Sequence, residues 1–331
     1  IQETYRTLRA HGDLVLFHLD NGVPWPEALD NKPFHPNMQA ELDVMRQQAR
    51  HFRKVYVSAT PQSHDRATLA KHWSVDQHQE LPKAWRNKKF DDPQVIAAYI
   101  NYCRSLIEFF DPDYFAYGIE VNGTLTPRHA NYKAFLTFVK QVHGTLKRDY
   151  PALPIFVTFQ TGSFEASWEE QWELNRILVR YSDMVGMSTY PFWVPNHIKP
   201  RRADVAYLPR DWFSRMADLA PDKPFAVTET GYIAEDFRQY GVSIQGRPEW
   251  QARYVDFLLQ GCQEAKAEFV VWFVPRDYDQ GMATLRRMGV SIEGAEIWRD
   301  TGLLDGSGRR RSGLDVWDAW RQLPHRAAGT H

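Results

Sequence analysis

YFAYGIEVN (residues 114–122) and FAVTETGY (residues 225–232) are each a short run of apolar, aromatic and β-branched residues that reaches a glutamate near its end. A strand covered on both faces reads this way, because a parallel sheet flanked by helices has no solvated face. A carboxylate at the end of such a run is unexpected unless it is paired or used. Glu120 and Glu229 therefore need an explanation, and the rest of the chain supplies a context for one.

Working outward, similar runs recur at 13–18 (DLVLFH), 54–59 (KVYVSA), 155–159 (IFVTF), 184–189 (MVGMST) and 269–274 (FVVWFV), with the two glutamate strands taken as 114–121 and 225–229. Between them lie amphipathic helical patterns at about 37–52, 93–110, 128–149, 167–181, 210–219, 248–267 and 314–323. Asp92–Pro93 and Arg247–Pro248 place proline in the first turn of two of these helices. The alternation predicts parallel βαβ units and an α/β fold, a (β/α)8 TIM barrel, as one catalytic domain over residues 1–331. Seven strands are visible, and residues 1–10 read as the helix after a first strand, so strand one is expected upstream of Ile1. Loops after strands are long (60–91, 190–209, 230–247, 275–313) and those before strands short (111–113, 151–154, 182–183). Barrel enzymes build their sites from the strand-to-helix loops, so this asymmetry marks the end that carries chemistry.

Composition excludes several partners. The chain has 331 residues and a net charge of −1, with no basic stripe, so nucleic acid and anionic membrane are not expected partners. Its one dense basic run, Arg309–Arg310–Arg311, reads as a solvated loop. No stretch approaches eighteen apolar residues, so no membrane span is expected. Cys103 and Cys262 fall in separate helical patterns and are expected as free thiols. A monomer is expected, with a secreted or periplasmic location favoured. The 12 Trp and 15 Tyr supply aromatic area suited to flat sugar faces.

Two strand-end carboxylates are what glycosidic-bond cleavage needs: one acid to protonate the leaving oxygen, and one carboxylate opposite it as nucleophile or base. The two glutamates lie three βα units apart, on barrel strands four and seven if one strand precedes Ile1. In this the chain resembles the large clan (clan A) of retaining (β/α)8 glycoside hydrolases. The segment HWSVDQHQELPKAW (residues 72–85), followed by the helix at Pro93, makes it most similar to the endo-β-1,4-galactanase family. The resemblance implies that Glu120 is the acid/base, Glu229 the nucleophile, Tyr190 a hydrogen-bond partner of the nucleophile and Trp272 the floor of the sugar subsite. One position departs from the clan: Ile119 stands where asparagine usually precedes the acid/base. Asn122, two residues after Glu120, could share its face. The acid/base has to hold its proton at working pH, and the nucleophile has to be ionised.

Further substrate contacts are expected from His18, Asp20 and Trp25 after the first visible strand, from His72 and Trp73, and from Gln160. The His72–Trp73–Asp76–His78 cluster fits no standard zinc spacing. No metal and no other cofactor is expected, and His18 is the one histidine at a strand end. Asn122–Gly123–Thr124 is an N-glycosylation pattern beside the proposed site, and no glycan is expected there. The reading is a retaining β-glycoside hydrolase acting on a plant or microbial polysaccharide or oligosaccharide, with β-1,4-galactan a candidate. The alternative is a non-catalytic carbohydrate-binding barrel.

Overall fold

The computed structural model describes residues 2–161, 168–193, 201–239, 241–287 and 295–323. Its strands are β1 (Leu14–Leu19), β2 (Lys54–Ala59), β3 (Tyr114–Ala116), β4 (Ile155–Phe156), β5 (Thr158–Thr161), β6 (Val185–Thr189), β7 (Phe225–Thr230), β8 (Phe237–Gln239), β9 (Val242–Ile244) and β10 (Val270–Trp272). β8 and β9 form an antiparallel hairpin in the loop after β7. All the others pair in parallel, in the orders β1-β2-β3-β4 and β5-β6-β7-β10. β4 and β5 are halves of one strand, broken at Val157, whose N–H turns away to the Ser182 hydroxyl at 3.1 Å. The architecture is a (β/α)8 barrel, and the described residues provide seven strands around its interior.

The helices are α1 (Gln2–His11), α2 (Trp25–Leu29), α3 (Pro36–Ala49), α4 (Pro93–Phe110), α5 (Tyr132–Asp149), α6 (Trp168–Leu178), α7 (Ser214–Ala217), α8 (Pro248–Glu264), α9 (Asp279–Arg287) and α10 (Ser312–Arg321). α4 shows how the sequence sets them. The Asp92 carboxylate accepts from the Gln94 N–H, Pro93 pre-sets the first turn, and Asp111 ends the helix in the left-handed region at φ 47°. Its inner stripe, including Val95, Ala98, Tyr99, Tyr102, Cys103 and Leu106, is fully buried. Each large apolar side chain so covered stabilises the fold by about 1.5–3 kcal/mol. Cys103 and Cys262 are both buried and unpaired with each other.

Inside the barrel, successive inward positions fall on alternate residues of each strand. The lower layers are apolar: Leu14, Leu16, Tyr56, Ala116, Phe156, Met184, Ala226 and Val271 pack together. Further along four of the strands the inward positions become polar, two residues on at His18, Ser58 and Thr158 and four residues on, past Gly186, at Ser188. The apolar plug closes one end and leaves a polar mouth at the carboxyl ends of the strands.

Several elements differ from the sequence reading. Regular pairing in β3 stops at Ala116 rather than Val121, because the chain bends through Gly118 and Glu120. The pattern at 210–219 yields one helical turn, α7, after a turn in which Trp212 N–H reaches Pro209 O. α2, α9 and the β8–β9 hairpin lie in segments read as loop.

The basic run also divides. Arg309 and Arg310 are exposed, but the Arg311 side chain is only 6% accessible. Its guanidinium donates to Asp277 Oδ1 at 2.8 Å, Gly302 O at 3.0 Å and Glu235 Oε1 at 2.6 Å. It thereby ties the loop after β7 to the loop after β10. A buried ion pair is costly to break from one side, because the remaining charge is stranded. Arg311→Met is expected to lower unfolding free energy by about 3–5 kcal/mol in urea titrations. A loss below about 1 kcal/mol would mean that these groups are solvated instead.

Candidate active site

Glu120 reaches the mouth through an irregular strand end. Tyr117 N–H bonds Phe156 O at 2.9 Å and Thr158 N–H bonds Gly118 O at 2.9 Å. The Thr158 hydroxyl, rather than a carbonyl, takes the Glu120 N–H at 2.9 Å. Glu120 itself adopts φ 49°, a left-handed conformation that costs an L-residue about 1–2 kcal/mol. Its Oε1 accepts from the Ser188 hydroxyl at 2.7 Å, and its Oε2 lies 3.5 Å from Arg66 Nη2.

Glu229 arrives by a different device. Ala226 faces the barrel interior, so strict alternation would turn Glu229 outward. The β6–β7 register shifts instead: Met187 pairs with Val227, but Ser188 pairs with Glu229. Thr228 is the extra residue, and this bulge re-aims the glutamate. The Tyr190 hydroxyl donates to Glu229 Oε1 at 2.5 Å, and His18 Nδ1 stands 3.6 Å from Oε2. Gly231 keeps this arrangement possible, since a Cβ there would meet Phe273 O at 2.3 Å and Tyr190 Cε1 at 3.2 Å. Ser188 thus donates to one glutamate and is the ladder partner of the other, one strand spacing (about 4.8 Å) away.

Burial pushes the Glu229 carboxyl above its ordinary value, and the negative charge of Glu120 adds to that. His18, the Tyr190 hydroxyl and the Arg66 guanidinium pull the other way. The Tyr278 phenol, near Glu229 on the loop after β10, is pushed up to about 12 by burial and by that carboxylate.

The other expected residues divide. His18 faces the mouth, with Ser58 Oγ 3.3 Å from Nδ1. Asp20 is spent on Arg66, 2.9 Å from its Nη1. Asn122 is fully buried and clamped to β5, donating to Gln160 O at 2.8 Å and accepting from Gln160 N at 2.7 Å. It is a strand-end tie that offers neither a sugar contact nor a glycan attachment point. Gln160 supplies the backbone half of that tie. Trp25 is a loop anchor with no accessible surface, its indole N–H on Ala70 O at 2.9 Å and its ring stacked on Trp85. Trp73 is equally buried, and His72 packs under the same loop, 4.0 Å from Glu27. Asp76 and His78 are exposed.

Trp272 requires a correction. Phe269 and Val271 face the barrel interior, so Trp272 faces out. Its indole N–H bonds Thr301 O at 3.0 Å and its ring packs on Tyr254 and Trp317, between the barrel and its helices. Phe273 holds the inward position and meets Trp298 and Tyr278, with Trp298 in turn against Tyr190. Among the described residues, one trio of acids, Glu235, Asp277 and Asp300, is close enough to share a metal ion. The Arg311 guanidinium already lies on two of its members.

No family model and no curated protein matches the chain. Solved structures do. A GH5_18 protein from Streptomyces cattleya, in complex with Manβ1-4GlcNAc, superposes with a TM-score of 0.66 at 14% identity, covering 98% of this chain and 76% of that one. The GH53 catalytic domain of Ignisphaera aggregans gives 0.60 at 17% identity, covering 94% and 86%. The exo-β-1,4-mannosidase Op5Man5 of an Opitutaceae bacterium gives 0.64 at 16% identity, covering 96% and 55%. The chain has the fold of the (β/α)8 glycoside hydrolases. The likeness spans families 5 and 53 at 14–17% identity, so it shows the shared barrel fold and selects neither family.

The raised Glu229 carboxyl has a consequence for stability. The folded state holds this proton at pH values where the unfolded chain has lost it. Folded protein therefore binds more protons above the ordinary glutamate range, and stability falls as pH rises through that window. Glu229→Gln removes the penalty while leaving an oxygen to accept from Tyr190. Its Tm is expected to exceed that of the parent at pH 7, with the gap closing below about pH 4. An equal or lower Tm at pH 7 would contradict the assignment.

Proposed function

We propose that the chain is a retaining β-glycoside hydrolase that cleaves a plant or microbial polysaccharide or oligosaccharide by double displacement. The observation that carries this reading is the pair Glu120 and Glu229. They stand at the ends of two barrel strands and share one polar mouth, with Ser188 in contact with both strands. Pairs of this kind at strand ends are the arrangement glycosidic cleavage requires.

In the first step Glu120 gives its proton to the glycosidic oxygen, and a Glu229 carboxylate oxygen attacks the anomeric carbon. The sugar–oxygen bond breaks, the alcohol leaves, and a glycosyl ester remains on Glu229. Glu120, now a carboxylate, takes a proton from water as the water oxygen attacks the same carbon, which frees the sugar and restores both glutamates. The donors around Glu229 favour its ionised form against burial. Phe273 and Trp298 offer aromatic surface beside Tyr190 for the sugar face. A cleft of about 680 Å³, lined by Ser63, Asp65, Thr68, Lys71 and Arg86 among others, shares Asp65 with the turn that carries Arg66. Its lining includes neither Glu120 nor Glu229, so it is set apart from the mouth they share. β-1,4-Galactan is one candidate substrate, suggested by the segment at 72–85 and by the GH53 superposition.

The test is a panel of aryl β-glycosides and of galactan, mannan and glucan polysaccharides, each with parent, Glu120→Gln and Glu229→Gln. Hydrolysis of at least one substrate is expected, with losses of about 10²–10⁴-fold in the Glu120 variant and at least as much in the Glu229 variant. Oligosaccharide binding without hydrolysis by the parent would favour the non-catalytic barrel. A few-fold loss in the Glu229 variant would remove it from the nucleophile role.

A further inference from the structure

Arg66 was not marked by any sequence pattern, yet it is the cation nearest the proposed acid/base among the described residues. It sits in the long loop after β2, in a tight turn organised by Asp65. The Asp65 carboxylate accepts from the Ala67 and Thr68 N–H groups at 2.7 and 3.0 Å. Arg66 takes φ 56° in that turn, and the side chain it projects is 13% accessible. The turn is fixed to the far side of the site, because the Thr124 hydroxyl bonds Asp65 O at 2.6 Å and the Asn131 amide bonds Ala67 O at 2.9 Å. Both anchors come from the segment just after Glu120. The guanidinium fork then spans two carboxylates: Nη1 is 2.9 Å from Asp20 Oδ2, and Nη2 is 3.5 Å from Glu120 Oε2.

We infer that Arg66 and Asp20 form a clamp that positions the acid/base, with Asp20 absorbing most of the guanidinium charge so that Glu120 can carry a proton beside it. This rests on the glycosidase reading and deepens it. A bare guanidinium next to a general acid would favour the carboxylate and weaken the acid. The shorter contact belongs to Asp20 and the longer to Glu120, so the fork holds the geometry while its charge is met elsewhere. Glu120 needs such support, since its backbone is in a strained conformation and its other oxygen has a single hydroxyl donor, Ser188. Among the described residues, Glu229 from β7 and Tyr190 from the end of β6 also interact electrostatically with it, and His18 from β1 stands beside Glu229. Arg66 is a positioning residue in this account, acting through Glu120.

The clamp predicts a dependence on the leaving group. A 2,4-dinitrophenolate departs without a proton, whereas an unactivated phenyl or sugar leaving group requires one. With the glycoside selected by the panel, kcat/KM of Arg66→Met is expected to fall about 100-fold on the phenyl glycoside and less than about tenfold on the dinitrophenyl glycoside. Arg66→Lys, which keeps charge but loses the fork, should fall between. Charge also predicts opposite movements of the alkaline limb of kcat/KM against pH: upward in Arg66→Met and downward in Asp20→Asn. Asp20→Asn/Arg66→Met, which removes both charges, should leave the limb near its parent position, and circular dichroism confirms folding of each variant. Equal losses on both leaving groups in a folded Arg66→Met, or limbs that move together, would overturn the clamp. Glu120→Ala separates this from failure of the underlying reading. If it too lacks leaving-group dependence and is not rescued by azide on the dinitrophenyl glycoside, Glu120 is not the acid/base.

Discussion

Two carboxylates share one cavity here, and burial together with the charge of Glu120 pushes the Glu229 carboxyl up. The upper half of this barrel is organised around that constraint. Tyr190 and His18 surround Glu229, Ser188 and Arg66 meet Glu120, and Asp20 answers Arg66. The partners come from three strand ends, His18 and Asp20 from the end of β1, Arg66 from the loop after β2, and Ser188 and Tyr190 from the end of β6, so the balance depends on the barrel bringing those ends together. The apolar layers below exclude water from the base of the cavity, which strengthens every charge interaction above them. Stability is given up in the process: the raised carboxyl of buried Glu229 and the left-handed backbone of Glu120 both oppose folding.

The loops carry the second layer of this organisation. Arg311 fastens the loops after β7 and β10 to each other from a position with little exposure. Those loops bring Tyr278 and Trp298 beside Phe273 and Tyr190. On the opposite side, the loop after β2 is held down by buried Trp25, Trp73 and Trp85 and returns Arg66 to the mouth. Trp73 and Trp85 of this loop, with Trp25 of α2 against them, fix a long connection in place, and the loop delivers Arg66 to Asp20 and Glu120.

The barrel and the two glutamates were legible because both rest on local signals, namely strand–helix alternation and charges ending apolar runs. Strand alternation also sets Trp272 on the opposite face from Phe269, Val271 and Phe273. The position of Glu229 was legible but its orientation was not, since alternation alone points it outward and only the bulge at Thr228, a product of pairing with β6, turns it in. Asn122 shares a face with Glu120 in a regular strand, but the chain bends at Glu120 and spends the asparagine on β5. Arg66 and Arg311 could not be found from sequence. Each meets carboxylates far along the chain, and nothing local separates them from exposed arginines.

The central claim is that Glu229 forms a covalent bond to the sugar. Incubation with a set of 2-deoxy-2-fluoro-β-glycosyl fluorides, followed by proteolysis and mass spectrometry, tests it most directly. The account predicts one added glycosyl group on the peptide containing Glu229, and none in Glu229→Gln. Labelling at Glu120 or elsewhere would contradict it. So would a reaction that turns over natural substrate with inversion at the anomeric carbon and leaves no labelled peptide.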